Sequence, residues 1–177
     1  MDIKVHRGLE QIGGCITEIS TATSRVFIDF GQNLPGNGEA TTPEQDRLMV
    51  ENIFATNAKK HEAVFYTHGH EDHVGLFEYI PPYVPQYMSD GTKELLLIKY
   101  RTLKEGVELS LAQLQNDANS IKEQIEEENF KKSNAENKIK IIARMNSWGR
   151  TSPGKKPSPI FIGDITITPF FNCHFIY

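Results

Sequence analysis

Apolar and polar positions alternate in short runs along the first third of the chain. Ile3-Lys4-Val5, Cys15-Ile16-Thr17-Glu18-Ile19 and Arg25-Val26-Phe27-Ile28-Asp29-Phe30 carry the two-residue period of strands with one buried face. Gly13-Gly14 and the polar run STATS separate them, and GQNLPGNGEATTPEQ after them is a loop by its Gly, Pro and Asn content. A helix is predicted over residues 44 to 58. Glu62 to Thr67 follows as a strand whose centre, Ala63-Val64-Phe65-Tyr66, is apolar throughout. Two short segments, Leu76 to Ile80 and Gln86 to Met88, flank the proline-rich PPYVP.

From Thr92 to about Lys132 the period changes. Leu96, Tyr100, Leu103, Val107, Leu111, Leu114, Ala118, Ile121 and Ile125 recur at steps of three and four. They make one long amphipathic helix, or two broken near Gly106 or Asn116. EQIEEENFKK within that stretch reads as a solvated helical face. Ile139 to Met145 is a further helical or strand segment, and NSWGRTSPGKKPSP reads as a loop. A last β pattern, Ile160-Phe161-Ile162 and Ile165-Thr166-Ile167-Thr168, precedes FFNCHFIY. Strands in sequence with helices indicate an α/β fold, and no internal repeat or clear domain boundary interrupts the 177 residues.

Composition narrows the function classes. No apolar run approaches the ~20 residues that a membrane helix needs. MDIKVHRG lacks the apolar stretch of a secretory signal. Cys15 and Cys173 form no CxxC pair, which favours a reduced, cytoplasmic setting, with a disulfide as the alternative. A net charge of −4 disfavours a grip on nucleic acid over the whole surface and leaves room for a local basic groove. No P-loop, no GxGxxG between a strand and a helix and no GxSxG occurs, so phosphate-cradling and serine-nucleophile chemistries have no motif to rest on. Gly31, Gly36 and Gly38 read as loop glycines, and Lys155-Lys156 with Arg150 and Trp148 reads as an ordinary solvated loop.

One stretch stands apart. THGHEDHVG, Thr67 to Gly75, holds three of the six histidines of the chain, directly after the apolar strand. Imidazole nitrogens and carboxylate oxygens suit zinc and similar divalent cations. In an extended segment His68 and His70 project to the same side. Asp72 and His73 fall on the turn that follows and approach the same cleft from another direction. Gly69 and Gly75 let the backbone pass close by. One short segment can thus serve two adjacent metal positions, and such a pair activates water and clamps a phosphoryl or acyl group.

HGHEDH resembles the HxHxDH signature of the metallo-β-lactamase superfamily. The opening strands, Asp29-Phe30-Gly31 and the closing GDITITPFF resemble its ribonuclease J-like branch, in which a histidine follows a phrase like TPFF at the spacing of His174. The resemblance implies the N-terminal part of an αββα sandwich, with a long helical segment near 92–132 and residues 1–177 as a single, incomplete domain. By resemblance His68, His70 and His174 hold one zinc, Asp72 and His73 hold the other, and Asp72 also orients the attacking water. Asp29 is implied as a supporting group rather than a ligand. The implied activity is metal-dependent hydrolysis, phosphodiesterase- or ribonuclease-like, on RNA or another phosphodiester.

The sequence also departs from that pattern. Cys173 and Phe175 flank His174 where the relatives have an aspartate and a serine, and the chain ends three residues after His174. The bridging aspartate and last histidine of the family are not among these residues, so one zinc or fewer is expected, with marginal hydrolysis. A truncated or frameshifted reading frame is one expectation. A non-catalytic remnant that binds metal weakly or acts only through a partner is the alternative function. An uncovered apolar sheet face makes a homo-oligomer a further expectation.

Overall fold

The alternating segments at the start of the chain pair as antiparallel strands, β1 (Asp2–Arg7), β2 (Ile16–Ser20) and β3 (Ser24–Ile28). The computed structural model describes residues 1–34, 41–116, 122–149 and 157–170. β4 (His61–Phe65) runs parallel to β3, with Ser24 opposite His61 and Ile28 opposite Phe65. β5 (Gln86–Ser89) and β6 (Asn146–Trp148) continue in parallel and complete a six-stranded sheet in sequence order. β6 corrects the loop expected at NSWGRTSPGKKPSP. Three residues with one large side chain show no period of their own. Pairing of Tyr87, Met88 and Ser89 with Asn146, Ser147 and Trp148 makes them a strand.

Alternation on β3 sends neighbouring side chains to different layers. Phe27 meets α1 (Pro43–Ala55), where the rings of Phe27, Phe30 and Phe54 lie 5.1–5.6 Å apart. Thr42 and Gln45 form a reciprocal capping box at the start of α1, and Pro43 occupies its first turn. Val26 points the other way. With Ala63 and Phe65 it packs against Ile162 and Ile165 of a hairpin, β7 (Ile160–Ile162) and β8 (Ile165–Ile167). Towards the sheet edge Ile3 stays 67% and Val5 40% exposed.

Arg25 is the largest of the buried charged side chains, 1% exposed. Its Nε donates to Glu62 Oε1 at 2.6 Å, and its other nitrogens donate to the carbonyls of Ile53, Phe54 and Thr56. Those carbonyls end α1, where no residue of the last turn is basic. Arg25 therefore caps the helix from the neighbouring strand.

Chain contacts divide the fold into two units, one holding Met1–Asp90 and the described residues from Asn146 onward, the other Gly91–Met145. The second unit consists of nearly all of α3 (Asp90–Asn116) together with α4 (Lys122–Arg144). Gly106 lies inside α3, so of the two expected break points only that near Asn116 agrees with a helix end. Lys104 meets Glu136 at 3.3 Å and Lys132 meets Glu108 at 3.0 Å, which pairs the two helices antiparallel. Leu96, Tyr100 and Leu111 are buried as the apolar stripe predicts, whereas Leu103 is 51% exposed. Ile139 to Met145 is helix as far as Arg144. The architecture is a mixed α/β fold with a six-stranded sheet and long helices. Among the described residues no helix is long and apolar enough to cross a membrane.

Candidate functional site

The histidine segment leaves the C-terminal end of β4, beside the end of its parallel neighbour β3. Tyr66 anchors the exit: it is buried, and its hydroxyl donates to Gln86 Oε1 at 2.6 Å. Thr67 to Gly69 turn the chain, and His70 begins the four-residue helix α2 (Glu71–Val74). The turn expected at Asp72 and His73 is thus a short helix that starts at Glu71. Asp72 and His73 lie in its only full turn.

Asp29, the first residue past β3, organises the turn. Its φ of 64° is left-handed, a conformation that aspartate tolerates better than most side chains but that costs free energy. Its amide donates to Phe65 O at 2.9 Å. Its carboxylate accepts from the Thr67 amide at 2.7 Å and the Thr67 hydroxyl at 2.8 Å. The same carboxylate lies 2.8 Å from His73 Nδ1. That contact leaves His73 Nε2 facing Asp72 Oδ2 at 3.4 Å. The Asp29 hydrogen bond raises the pKa of His73 from its ordinary value against the opposing effect of partial burial.

Two glycines let the backbone close around this turn. A Cβ on Gly31 would stand 1.6 Å from the carbonyl oxygen of Asp72, and one on Gly13 would stand 2.9 Å from Asp72 Cβ. The close approach is sealed by four backbone hydrogen bonds: Phe30 to His73, Gln32 to Glu71, Cys15 to Asp72 and Leu76 to Phe30, all 2.8–3.1 Å. Arg7 holds the outer side of the clasp. It donates to the carbonyls of Gly14 and Gly31 and, at 2.8 Å, to the buried carboxylate of Asp46. The Cys15 thiol has its pKa raised by burial and then by the negative charges of Asp29 and Asp72.

The structure brings His68, His70, Asp72 and His73 together. His68 Nε2 lies 3.1 Å from His70 Nδ1, and the rings of His68 and His73 are 4.0 Å apart. Two nitrogens on one tetrahedral zinc, each about 2.0–2.1 Å from it, stand roughly 3.3 Å apart. The His68–His70 pair therefore has the donor chemistry and nearly the separation that such a cation needs. Asp72 and His73 offer a second pair. Among the described residues no group of three or more His, Cys, Asp or Glu side chains forms a ready-made metal site. The donors here pair with one another instead. His174 lies outside the described residues. Reading the sequence missed Gly31, which it took for an ordinary loop glycine, and Thr67, whose hydroxyl touches Asp29 and lies 2.9 Å from His68 Nδ1. Both lie in stretches the sequence singles out, but no local pattern shows what either side chain or its absence does.

No protein-family model matches the chain. It is 34% identical over 94 residues to the transcription termination factor FttA of Methanosarcina mazei, an alignment covering 51% of this chain and 14% of that protein. It is 29% identical over 124 residues to an RNase J-like protein of Methanocaldococcus jannaschii, covering 70% of this chain and 25% of that one. The chain thus spans a quarter or less of the curated relatives it matches. A solved structure of a protein of unknown function from Enterococcus faecalis V583 superposes with a TM-score of 0.53 at 21% identity. That match covers 94% of this chain and 36% of the other, and it supports the α/β fold alone.

Proposed function

We propose that this chain carries the metal-binding half of a hydrolase of the metallo-β-lactamase superfamily, acting in the cytoplasm on RNA or another phosphodiester. The observation that carries the reading is the convergence of His68, His70, Asp72 and His73 at the end of β4, with Asp29 bonded to His73 Nδ1. The names of the two curated relatives, a termination factor and an RNase J-like protein, support a nucleic-acid substrate. His68 and His70 would hold one divalent cation, and Asp72 with His73 would contribute to a second position. A bound cation supplies Lewis acidity towards a phosphoryl oxygen and activates a water. Asp29 fixes the tautomer and tilt of His73 so that Nε2 faces the cleft. Asp72 is the candidate to orient the attacking water and receive its proton. Gly31 and Gly13 keep the turn seated on the sheet, so these groups share one geometry.

A second reading is a non-catalytic chain that binds metal weakly or works only through a partner. The pairing of the donors with one another, His68 with His70 and His73 with Asp29, favours it. Hydrolysis of bis-p-nitrophenyl phosphate in the presence of zinc or manganese separates the two. The hydrolase reading expects slow turnover that a chelator stops and His70→Ala abolishes. Turnover indifferent to both, or none at all, sinks it.

A further inference from the structure

β4 has a second chemically distinct end. Its first residues and the loop before it line a cleft of about 340 Å³ together with the loop before β5 and the β7–β8 turn. The cleft lies some 20 Å along the strand from the histidine cluster, at ~3.3 Å per residue. Lys59, Lys60 and His61 contribute its basic side, while Tyr83 and Phe161 contribute rings that are 70% and 71% exposed. These two rings come from segments far apart in sequence and bury little of their own surface, so core packing does not account for their position.

The residues that line the cleft carry one net positive charge with His61 neutral, Lys59 and Lys60 against Glu62. Glu62 also lines it, but its carboxylate is committed to Arg25 at 2.6 Å and to the Lys59 amide at 2.8 Å. Asp164, next to the turn but outside the lining, keeps its negative charge and is held towards the β2–β3 turn by the Thr21 and Thr23 hydroxyls at 2.9 and 3.1 Å. Among the described residues, the hydrogen-bond partner of Lys59 Nζ is a backbone carbonyl, that of Ala22, at 3.4 Å. Lysines beside exposed rings, in a chain of net charge −4, are the local combination that binds single strands: cations follow the phosphates while bases stack on the rings.

We propose that this cleft binds a segment of single-stranded nucleic acid, with bases on Tyr83 and Phe161 and phosphates on Lys59 and Lys60. The inference builds on the nucleic-acid reading above but not on metal binding, and the test separates them. Fluorescence anisotropy of labelled oligo-U and oligo-dT of about 12 nucleotides, within the range of known single-strand sites, reads binding directly. Lys59→Ala/Lys60→Ala should weaken binding at least tenfold and flatten the slope of log K against log salt by about 1.4, near 0.7 per lost phosphate contact. Tyr83→Ala and Phe161→Ala, both at exposed positions, should each weaken it roughly 5- to 100-fold. A duplex of equal length should compete at least tenfold less well. All titrations are run in excess EDTA, so that no cation at the histidine turn contributes to binding and a failure of the metal reading leaves this test intact. The proposal is overturned if the parent binds neither oligonucleotide under these conditions, or if the four cleft substitutions leave binding unchanged.

Discussion

Gly31→Ala tests how the histidine turn is held. The new methyl would sit 1.6 Å from Asp72 O and 2.2 Å from Asp72 C, whereas ordinary contact begins near 3.4 Å, so the two backbones must part by about 1.8 Å. The hydrogen bonds from Phe30 to His73 and from Gln32 to Glu71, now 2.9 and 2.8 Å, cannot survive that separation. Each contributes about 1 kcal/mol net, and leaving a buried partner unsatisfied costs ~1–3 kcal/mol more. The entropic advantage of alanine over glycine in the unfolded chain returns only ~0.4–1 kcal/mol. A loss of roughly 3–5 kcal/mol follows, which for a chain of this size lowers Tm by about 10 °C. Circular dichroism melting measures it. Gly106→Ala is the internal control: it meets nothing within 4 Å, lies inside α3, and should be neutral or stabilising. If Gly31→Ala melts within ~2 °C of the parent, the clasp is not what seats the turn.

Three other outcomes follow from the same geometry. Asp29→Asn keeps a residue that accepts the left-handed φ but removes the charge facing His73, so zinc affinity should fall about 10–100-fold; unchanged affinity in a chelator competition would refute the role given to Asp29. Arg25→Met leaves the Glu62 carboxylate and the end of α1 without their partner and should cost about 3–5 kcal/mol in urea unfolding, and Arg25→Lys should not rescue it, because one ammonium cannot reproduce the guanidinium fork; a full rescue would contradict this. Hydrogen bonds from Ser24 first, then Thr21, hold the Asp164 carboxyl below its ordinary 3.8, so its support of the β7–β8 hairpin is present above about pH 3.8 and is lost as pH falls through the lowered value; an NMR titration midpoint at or above 3.8 would contradict it.

What the sequence revealed, and what it hid, follows from how local each signal is. β2, β3 and β4 were legible because alternation and apolar runs are properties of consecutive residues. The histidine cluster was legible for the same reason, since its ligand-type side chains sit within six positions. β6 was not, because Asn146 and Ser147 become strand only by pairing with β5. Arg25 looked like one polar position in an alternating strand. Its burial depends on Glu62 and on the end of α1, about 30 residues away. The role of Gly31 was not legible because its constraint is a crossing with Asp72, 41 positions along the chain. The Leu103 error arises because a stripe drawn at average spacing is wider than the contact one neighbouring helix makes.

The central claim is that the turn after β4 holds a metal, and zinc titration of the metal-free chain, with elemental analysis of the loaded form, tests it most directly. Measurable zinc, up to one ion per chain, should bind, and His68→Ala/His70→Ala should weaken that binding at least tenfold while the far-ultraviolet circular dichroism stays unchanged. No zinc uptake by the parent, or equal uptake by the folded double variant, would contradict it.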